Sequence, residues 1–264
     1  RDDIEALKRH ANRISEALGA YEKIEVDSGA PLTVQRDCQS AVEDAVRSGP
    51  LLIIGEPGTG KSGVLNALAK TLSASGADVL ELAVDRYSVE SLEGLSLELG
   101  LKRPLLEVLE AWDGSEPAYL VVDALDATRG GRGEGVFRSL IERVLELKGR
   151  WNVVASIRNF DLRMGHQFRA LFKGAPPGRL LAAPTFAGVR HIQVPSWSAE
   201  EFDQLLCRAP ALADYLAQAP TRLRALAMVP FNTRLLSELI TGGAVGSLGQ
   251  VSSQADLLRL YWEH

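Results

Sequence analysis

The apolar positions of this chain follow two rhythms that change places along its length. Short, nearly unbroken apolar runs occur at 51–54, 78–84, 119–122, 152–157 and 189–194. Bounded by turn residues, such runs predict buried strands, and their lack of polar alternation suits a parallel sheet covered on both faces. Between them, apolar residues return every third or fourth position, as in 63–72, 88–100, 104–112 and 136–148, which predicts helices. Strand and helix in alternation predict an α/β fold with a five-stranded parallel sheet in three layers.

Helical periodicity also precedes this region, at 1–18 and 35–47, with turn signals at Asp27-Ser28-Gly29 and Pro31 between the two. After Trp197 no strand pattern returns, and helices are predicted at 199–207, 211–218, 222–228, 233–240 and 254–262. Residues 242–249 read as a flexible joint, 128–135 as a loop, and 160–172 as a connection. The chain therefore divides into N-terminal helices (1–48), an α/β core (49–195) and a C-terminal α-helical lid (196–264).

Composition narrows the class. A net charge of −5 gives no sign of a general nucleic-acid or membrane surface. No apolar run approaches the ~20 residues needed to cross a bilayer. Cys38 and Cys207 match no metal spacing and read as reduced thiols, so the expected compartment is the cytoplasm. Trp112, Trp151, Trp197 and Trp262 fall one to a segment and read as core or interface rather than as a base-stacking platform. A start without Met and a stop inside a helical pattern lead us to expect a fragment of a larger protein, with sensor or effector domains attached outside it.

The stretch with the clearest chemistry is Gly55-Glu56-Pro57-Gly58-Thr59-Gly60-Lys61-Ser62, between the first strand and a helix that opens near Gly63. This is a P-loop in its required context. Glycines let backbone N–H groups wrap phosphate, and the helix start adds its positive dipole end. The candidate nucleotide-binding residues are Gly55, Glu56, Pro57, Gly58, Thr59, Gly60, Lys61, Ser62 and Gly63. Lys61 is expected on the β- and γ-phosphates and Ser62 on Mg²⁺.

Asp123 ends the apolar run at 119–122, where P-loop proteins place a second magnesium ligand; its plainer use would be to cap the following turn. Asp126, three residues on, is the candidate for orienting the attacking water, against the alternative of a solvated loop residue. Arg158 ends the fourth strand, on the edge where parallel sheets bind ligands, and could read the γ-phosphate or pair with Asp161. The basic stretch Thr128-Arg129-Gly130-Gly131-Arg132-Gly133 could reach a neighbouring subunit's nucleotide, or be simply solvated.

Gly55–Ser62, Tyr119–Asp126, Ser156–Arg158 and Met228-Val229-Pro230-Phe231-Asn232 occur in an order and spacing that resembles the STAND-class NTPases, a branch of the AAA+-like P-loop ATPases that includes the NACHT group. The resemblance runs from about Val34 to the end. It implies that Asp123-Ala124-Leu125-Asp126 is the second acidic motif, that Arg158 is a sensor, that Pro230 touches adenine, and that Arg36 lies near the base. It also implies that the sensor strand lies between the P-loop strand and the Asp123 strand. The chain departs from the pattern at Ala124, where AAA+ proteins carry a catalytic Glu, and at Ala127, where NACHT proteins often carry an acid.

The resulting expectation is a module that binds ATP (or ADP) with Mg²⁺ in the cleft between core and lid. Slow hydrolysis would switch homo-oligomerisation or an attached effector in a larger signalling or antiviral-defence protein. The rival expectation is an AAA+-like ATPase motor or loader that acts on DNA or protein.

Overall fold

The computed structural model of the protein describes residues 1–26, 29–128, 131–147 and 149–264, with Thr128 and Arg132 described by backbone alone. Two units emerge. The first comprises Arg1–Leu18, Cys38–Glu56 and Lys61–Val194; the second comprises Gly19–Asp37, Pro57–Gly60 and Pro195–His264.

In the first unit the five predicted strands are all present: β1 (Leu51–Gly55), β2 (Asp78–Ala83), β3 (Ala118–Asp123), β4 (Trp151–Arg158) and β5 (His191–Gln193). They form one parallel sheet in the order β2-β3-β4-β1-β5. The strand that ends at Arg158 does lie between the P-loop strand and the Asp123 strand, as the resemblance implies. Helices α1 (Asp2–Gly19), α2 (Gln39–Val46), α3 (Lys61–Ala74), α4 (Leu92–Glu98), α5 (Leu105–Glu110), α6 (Arg132–Glu146), α7 (Asn159–Met164) and α8 (His166–Leu171) complete it.

The apolar runs explain the layers. Alternate residues of one strand point to opposite faces of a sheet. Leu52, Ile54, Leu120, Val122, Val153 and Ala155 accordingly enter one buried cluster, while Leu51, Ile53, Tyr119, Val121 and Val154 enter another. Both faces are covered, so the strands carry no polar alternation. The α6 residues Phe137, Leu140, Ile141 and Val144, all fully buried, show the spacing of one helical face.

The second unit is helical: α9 (Ala199–Arg208), α10 (Pro210–Gln218), α11 (Thr221–Ala227), α12 (Pro230–Thr241), α13 (Val245–Leu248) and α14 (Gln254–Glu263). Its core is built from Leu205, Leu212, Leu216, Leu223, Leu236 and Leu257, joined by Ile24, Val26 and Leu32 from the stretch before Asp37. α9 opens on a capping box: Ser198 accepts from the Glu201 N–H while the Glu201 side chain accepts from the Ser198 N–H.

Several boundaries differ from the sequence reading. The region predicted as a loop at 128–135 already belongs to α6 from Arg132, because the apolar repeat that marks the helix starts a turn after its backbone does. Its basic residue Arg129, with Gly130, lies outside the described residues, as do Asp27 and Ser28 of the predicted turn. The predicted joint at 242–249 contains the short helix α13, and the connection at 160–172 contains α7 and α8. Trp112, Trp151 and Trp197 are core residues, whereas Trp262 is 81% exposed.

Candidate functional site

β1 delivers the chain to Gly55, and α3 begins at Lys61, so the glycine-rich stretch spans a strand end and a helix start. Gly55, Glu56 and the residues from Lys61 belong to the first unit; Pro57–Gly60 group with the second.

Within the first unit, Lys61 Nζ donates to the carbonyls of Gly55 (3.1 Å) and Glu56 (3.0 Å). The ammonium therefore curls back over the loop's own backbone. Burial holds its pKa below the ordinary lysine value, opposed by the carboxylates of Asp126, Asp123 and Glu56. Glu56 Oε1 accepts from Asn159 Nδ2 at 2.8 Å, which ties the loop's entry to the start of α7.

Asp123 closes β3 and is 3% exposed. Its Oδ1 accepts from Ser156 Oγ at 2.5 Å, and the carboxylate is also hydrogen-bonded by Ser62 and by the Ala124 N–H. Burial raises its pKa, against the pull of these three hydrogen bonds. Ser156 Oγ in turn accepts from the Ala124 N–H at 2.8 Å. Parallel pairing of Val122 with Ala155 brings Ser156 of β4 beside the end of β3. Ala124 has φ 59°, a left-handed backbone that no other non-glycine shows among the described residues. Backbone outliers of this kind gather at functional sites.

Asp126 sits in the short turn Leu125–Thr128 with a nearly buried side chain. Arg158, for which the alternative was a pairing with Asp161, pairs with Asp126 instead: its Nε lies 2.7 Å from Asp126 Oδ2. The first unit thus brings Lys61, Ser62, Asp123, Asp126 and Arg158 to the carboxyl ends of β1, β3 and β4. Ligands of open α/β sheets bind at this edge.

Within the second unit, Gly58 (φ 80°) and Gly60 (φ 91°) turn the loop tip. The Phe231 N–H donates to Gly58 O at 3.0 Å. Pro230 occupies the first turn of α12, where its missing N–H costs nothing, and its Cβ would lie 3.9 Å from a Cβ placed on Gly60. Arg36 Nη1 donates to Thr59 O at 2.7 Å. Arg36 and Pro230 both stand against Pro57–Gly60, the stretch of the loop that groups with their unit.

Three contributors carried no role in the sequence reading. Ser156 was part of a quoted motif, and its signal was a lone hydroxyl inside the run Val153-Val154-Ala155-Ser156-Ile157. Glu201 was legible as the fourth residue of a Ser-x-x-Glu capping box. The contact of Asn159 with Glu56 had no sequence signal.

No family model and no curated protein matches this chain. Solved structures do. The Aeropyrum pernix Orc1 protein in complex with DNA aligns over 88% of this chain and 66% of its own, at 13% identity and a TM-score of 0.52. The Walker-type ATPase PABY2304 of Pyrococcus abyssi aligns over 87% and 71%, at 13% identity and 0.51. The S. cerevisiae Hsp104–ADP complex aligns over 89% and 33%, at 15% identity and 0.51. Our chain thus spans less than two thirds of the Orc1 and Hsp104 chains. At such identities the likeness speaks for the fold alone: an α/β P-loop NTPase fold with a helical C-terminal region.

Proposed function

We propose that the protein is an AAA+-like ATPase module that binds ATP with Mg²⁺ at residues 55–63. The observation that carries this reading is the hydrogen bond between Ser62 and Asp123, which joins the first turn of α3 to the end of β3. A hydroxyl and a buried carboxylate are hard oxygen donors suited to Mg²⁺. That ion takes one or two protein ligands and completes its shell with phosphate and water. Bound there, Mg²⁺ would neutralise charge on the phosphates. Lys61 would leave the Gly55 and Glu56 carbonyls for the β- and γ-phosphates, and Arg158 would read the γ-phosphate.

Of the two uses for such a module, action on DNA or protein has the support of one neighbour, the Orc1 protein solved with DNA. The low net charge does not argue against DNA, since a local surface can bind it. The STAND-type switch, in which nucleotide controls assembly or an attached effector, has two observations in its favour. Ala124 stands where a catalytic Glu is expected, and Asp126 is engaged by Arg158, which favours slow turnover.

Two measurements test these readings. Mass analysis of nucleotide released from freshly purified, denatured protein reports base and phosphorylation state. Steady-state hydrolysis with and without DNA then separates them. A motor turns over about once a second or faster and responds to its substrate, whereas a switch hydrolyses slowly and retains nucleotide. A well-folded protein that neither carries nor binds nucleotide sinks both.

A further inference from the structure

Two carbonyl oxygens at the tip of the phosphate-binding loop are held by donors within the second unit. Gly58 O accepts from the Phe231 N–H at 3.0 Å, and Thr59 O accepts from Arg36 Nη1 at 2.7 Å. Arg36 is itself immobilised. Its Nε pairs with Glu201 Oε1 at 2.9 Å, and its Nη2 donates to Pro195 O (2.8 Å) and Ser196 O (3.3 Å). The guanidinium carbon lies 4.7 Å from the centre of the Trp197 ring. Glu201 is fixed in turn by the N–H groups of Asp37 (2.6 Å) and Ser198 (2.8 Å). The side chains of Arg36 and Glu201 are 9% and 2% exposed. A planar fork with all three nitrogens engaged cannot rotate, and a lysine could not reproduce it.

The consequence follows from peptide geometry. Across a trans peptide, the carbonyl of one residue and the N–H of the next point in opposite directions, and no cis peptide occurs among the described residues. Turning the Gly58 and Thr59 carbonyls toward Phe231 and Arg36 therefore turns the Thr59 and Gly60 N–H groups to the other side of the loop. N–H groups on that side are what an anion-binding loop offers to phosphate. The positive φ values of Gly58 and Gly60 permit this turn, but do not fix it, because glycine is free to leave it.

We propose that Arg36, locked by Glu201, is a positioning residue for the phosphate-binding loop: it sets the orientation of the Thr59–Gly60 peptide and so the affinity for polyphosphate. This rests on the ATP reading above. It differs from the family-based expectation that Arg36 serves the base, and the difference can be measured.

The experiment compares ATP with inorganic tripolyphosphate as competing probes, on the parent, Arg36→Ala, Arg36→Lys and Glu201→Gln. Tripolyphosphate has no base, so a base contact cannot influence it. Positioning predicts that Arg36→Ala weakens both probes by a similar factor, on the order of tenfold, with Arg36→Lys losing nearly as much. Glu201→Gln keeps the shape and an oxygen for Arg36 Nε but removes the charge that holds the guanidinium, and both probes should weaken by about threefold. It also serves as the deciding variant if Arg36→Ala does not fold. Loss of ATP affinity with tripolyphosphate unchanged would overturn the inference in favour of a base contact. A lowered melting temperature with both affinities unchanged would overturn it in favour of a merely structural ion pair. A parent that binds neither probe removes the ATP reading, and the inference with it.

Discussion

Arg158 Nε lies 2.7 Å from Asp126 Oδ2, and the Arg158 backbone N–H reaches Asp126 Oδ1 at 3.3 Å. The strand end that carries the arginine thus engages both oxygens of the carboxylate. Asp126 is nearly buried while the arginine side chain is 53% exposed, so the arginine is the partner with room to move. For Asp126 Oδ2 to orient a water, the guanidinium must first leave it. A γ-phosphate that draws Arg158 away would release it, which would make hydrolysis conditional on a triphosphate being present.

The pair predicts a split. Asp126→Asn keeps an oxygen for the Arg158 N–H but loses the charge, so the hydrolysis rate should drop at least about tenfold while ATP affinity holds within about threefold. Arg158→Ala should reduce any preference for ATP over ADP, because it removes the proposed contact to the γ-phosphate while that of Lys61 stays. Binding isotherms for the two nucleotides check this. An unchanged rate in Asp126→Asn makes Asp126 a bystander.

Lys61→Ala should abolish tight nucleotide binding. A charge-assisted contact to phosphate is worth on the order of 2–3 kcal/mol, so affinity falls by tens of fold or more. Lys61 Nζ donates to carbonyls at the loop's entry, so the variant should melt near the parent temperature. Near-parent ATP affinity in the folded variant would remove the assignment of the loop.

Ser156→Ala should act on the metal without touching it. Its hydroxyl donates to the buried Asp123 carboxylate and accepts from the Ala124 N–H, so its loss takes one partner from each, at about 1–3 kcal/mol of stability. Asp123 would then be less firmly held, and the Mg²⁺ concentration for half-maximal binding of ATP should rise several-fold. Titration of Mg²⁺ at fixed ATP reads this. Unchanged Mg²⁺ dependence would mean that Asp123 is not a metal ligand or does not need Ser156.

The fold was legible because burial on both sheet faces writes itself as uninterrupted apolar strands, and Leu51–Gly55 or Ala118–Asp123 can hardly be read otherwise. The motif residues were legible for a related reason, since Gly58, Gly60 and Lys61 owe their identity to backbone shape and charge within one short stretch. What pairs with what was not. That Arg158 meets Asp126 rather than Asp161, or that Arg36 meets Glu201, depends on where strands and caps end in space. Sequence separation says nothing about that. Helix starts at Arg132 and Val245 were missed because their first turns carry glycine and polar residues, while the apolar repeat begins later or is too short to show.

His191 predicts an acid-sensitive core. It is fully buried; its Nε2 faces the Ala183 N–H at 2.8 Å and must accept, so Nδ1 carries the proton and donates to Val189 O at 2.8 Å. Burial holds its pKa below the ordinary 6.5, and protonation would set N–H against N–H. The folded pKa being the lower one, the stabilisation is fully present above 6.5 and is lost as pH falls through the folded value. His10, likewise depressed by burial, adds the same sign. Urea unfolding at about pH 7.5 and about pH 5.5 should show lower stability in acid, and His191→Gln should flatten the difference. An equal slope in that variant would assign the effect elsewhere.

Gly58 should be the least replaceable glycine of the loop, for two separable reasons. Its φ of 80° lies in the left-handed region, where an alanine costs on the order of 1–2 kcal/mol. A Cβ there would also lie 2.9 Å from Phe231 Cβ and 3.2 Å from Val229 Cγ1, so something must shift. Gly76 supplies the control: its φ is 91°, and a Cβ placed on it meets nothing within 4 Å. Gly76→Ala should therefore lower the melting temperature by the backbone term alone. Gly58→Ala should lower it further, and should weaken ATP by more than about tenfold by moving the Thr59 peptide. Since the nearest clash is with a Cβ, Phe231→Ala cannot relieve it, whereas Phe231→Gly can. The double variant Gly58→Ala/Phe231→Gly should recover part of the ATP affinity lost in Gly58→Ala. Equal effects of Gly58→Ala and Gly76→Ala on melting would show that the chain beside Phe231 yields to the extra methyl. The loop tip would then be set by glycine conformation alone.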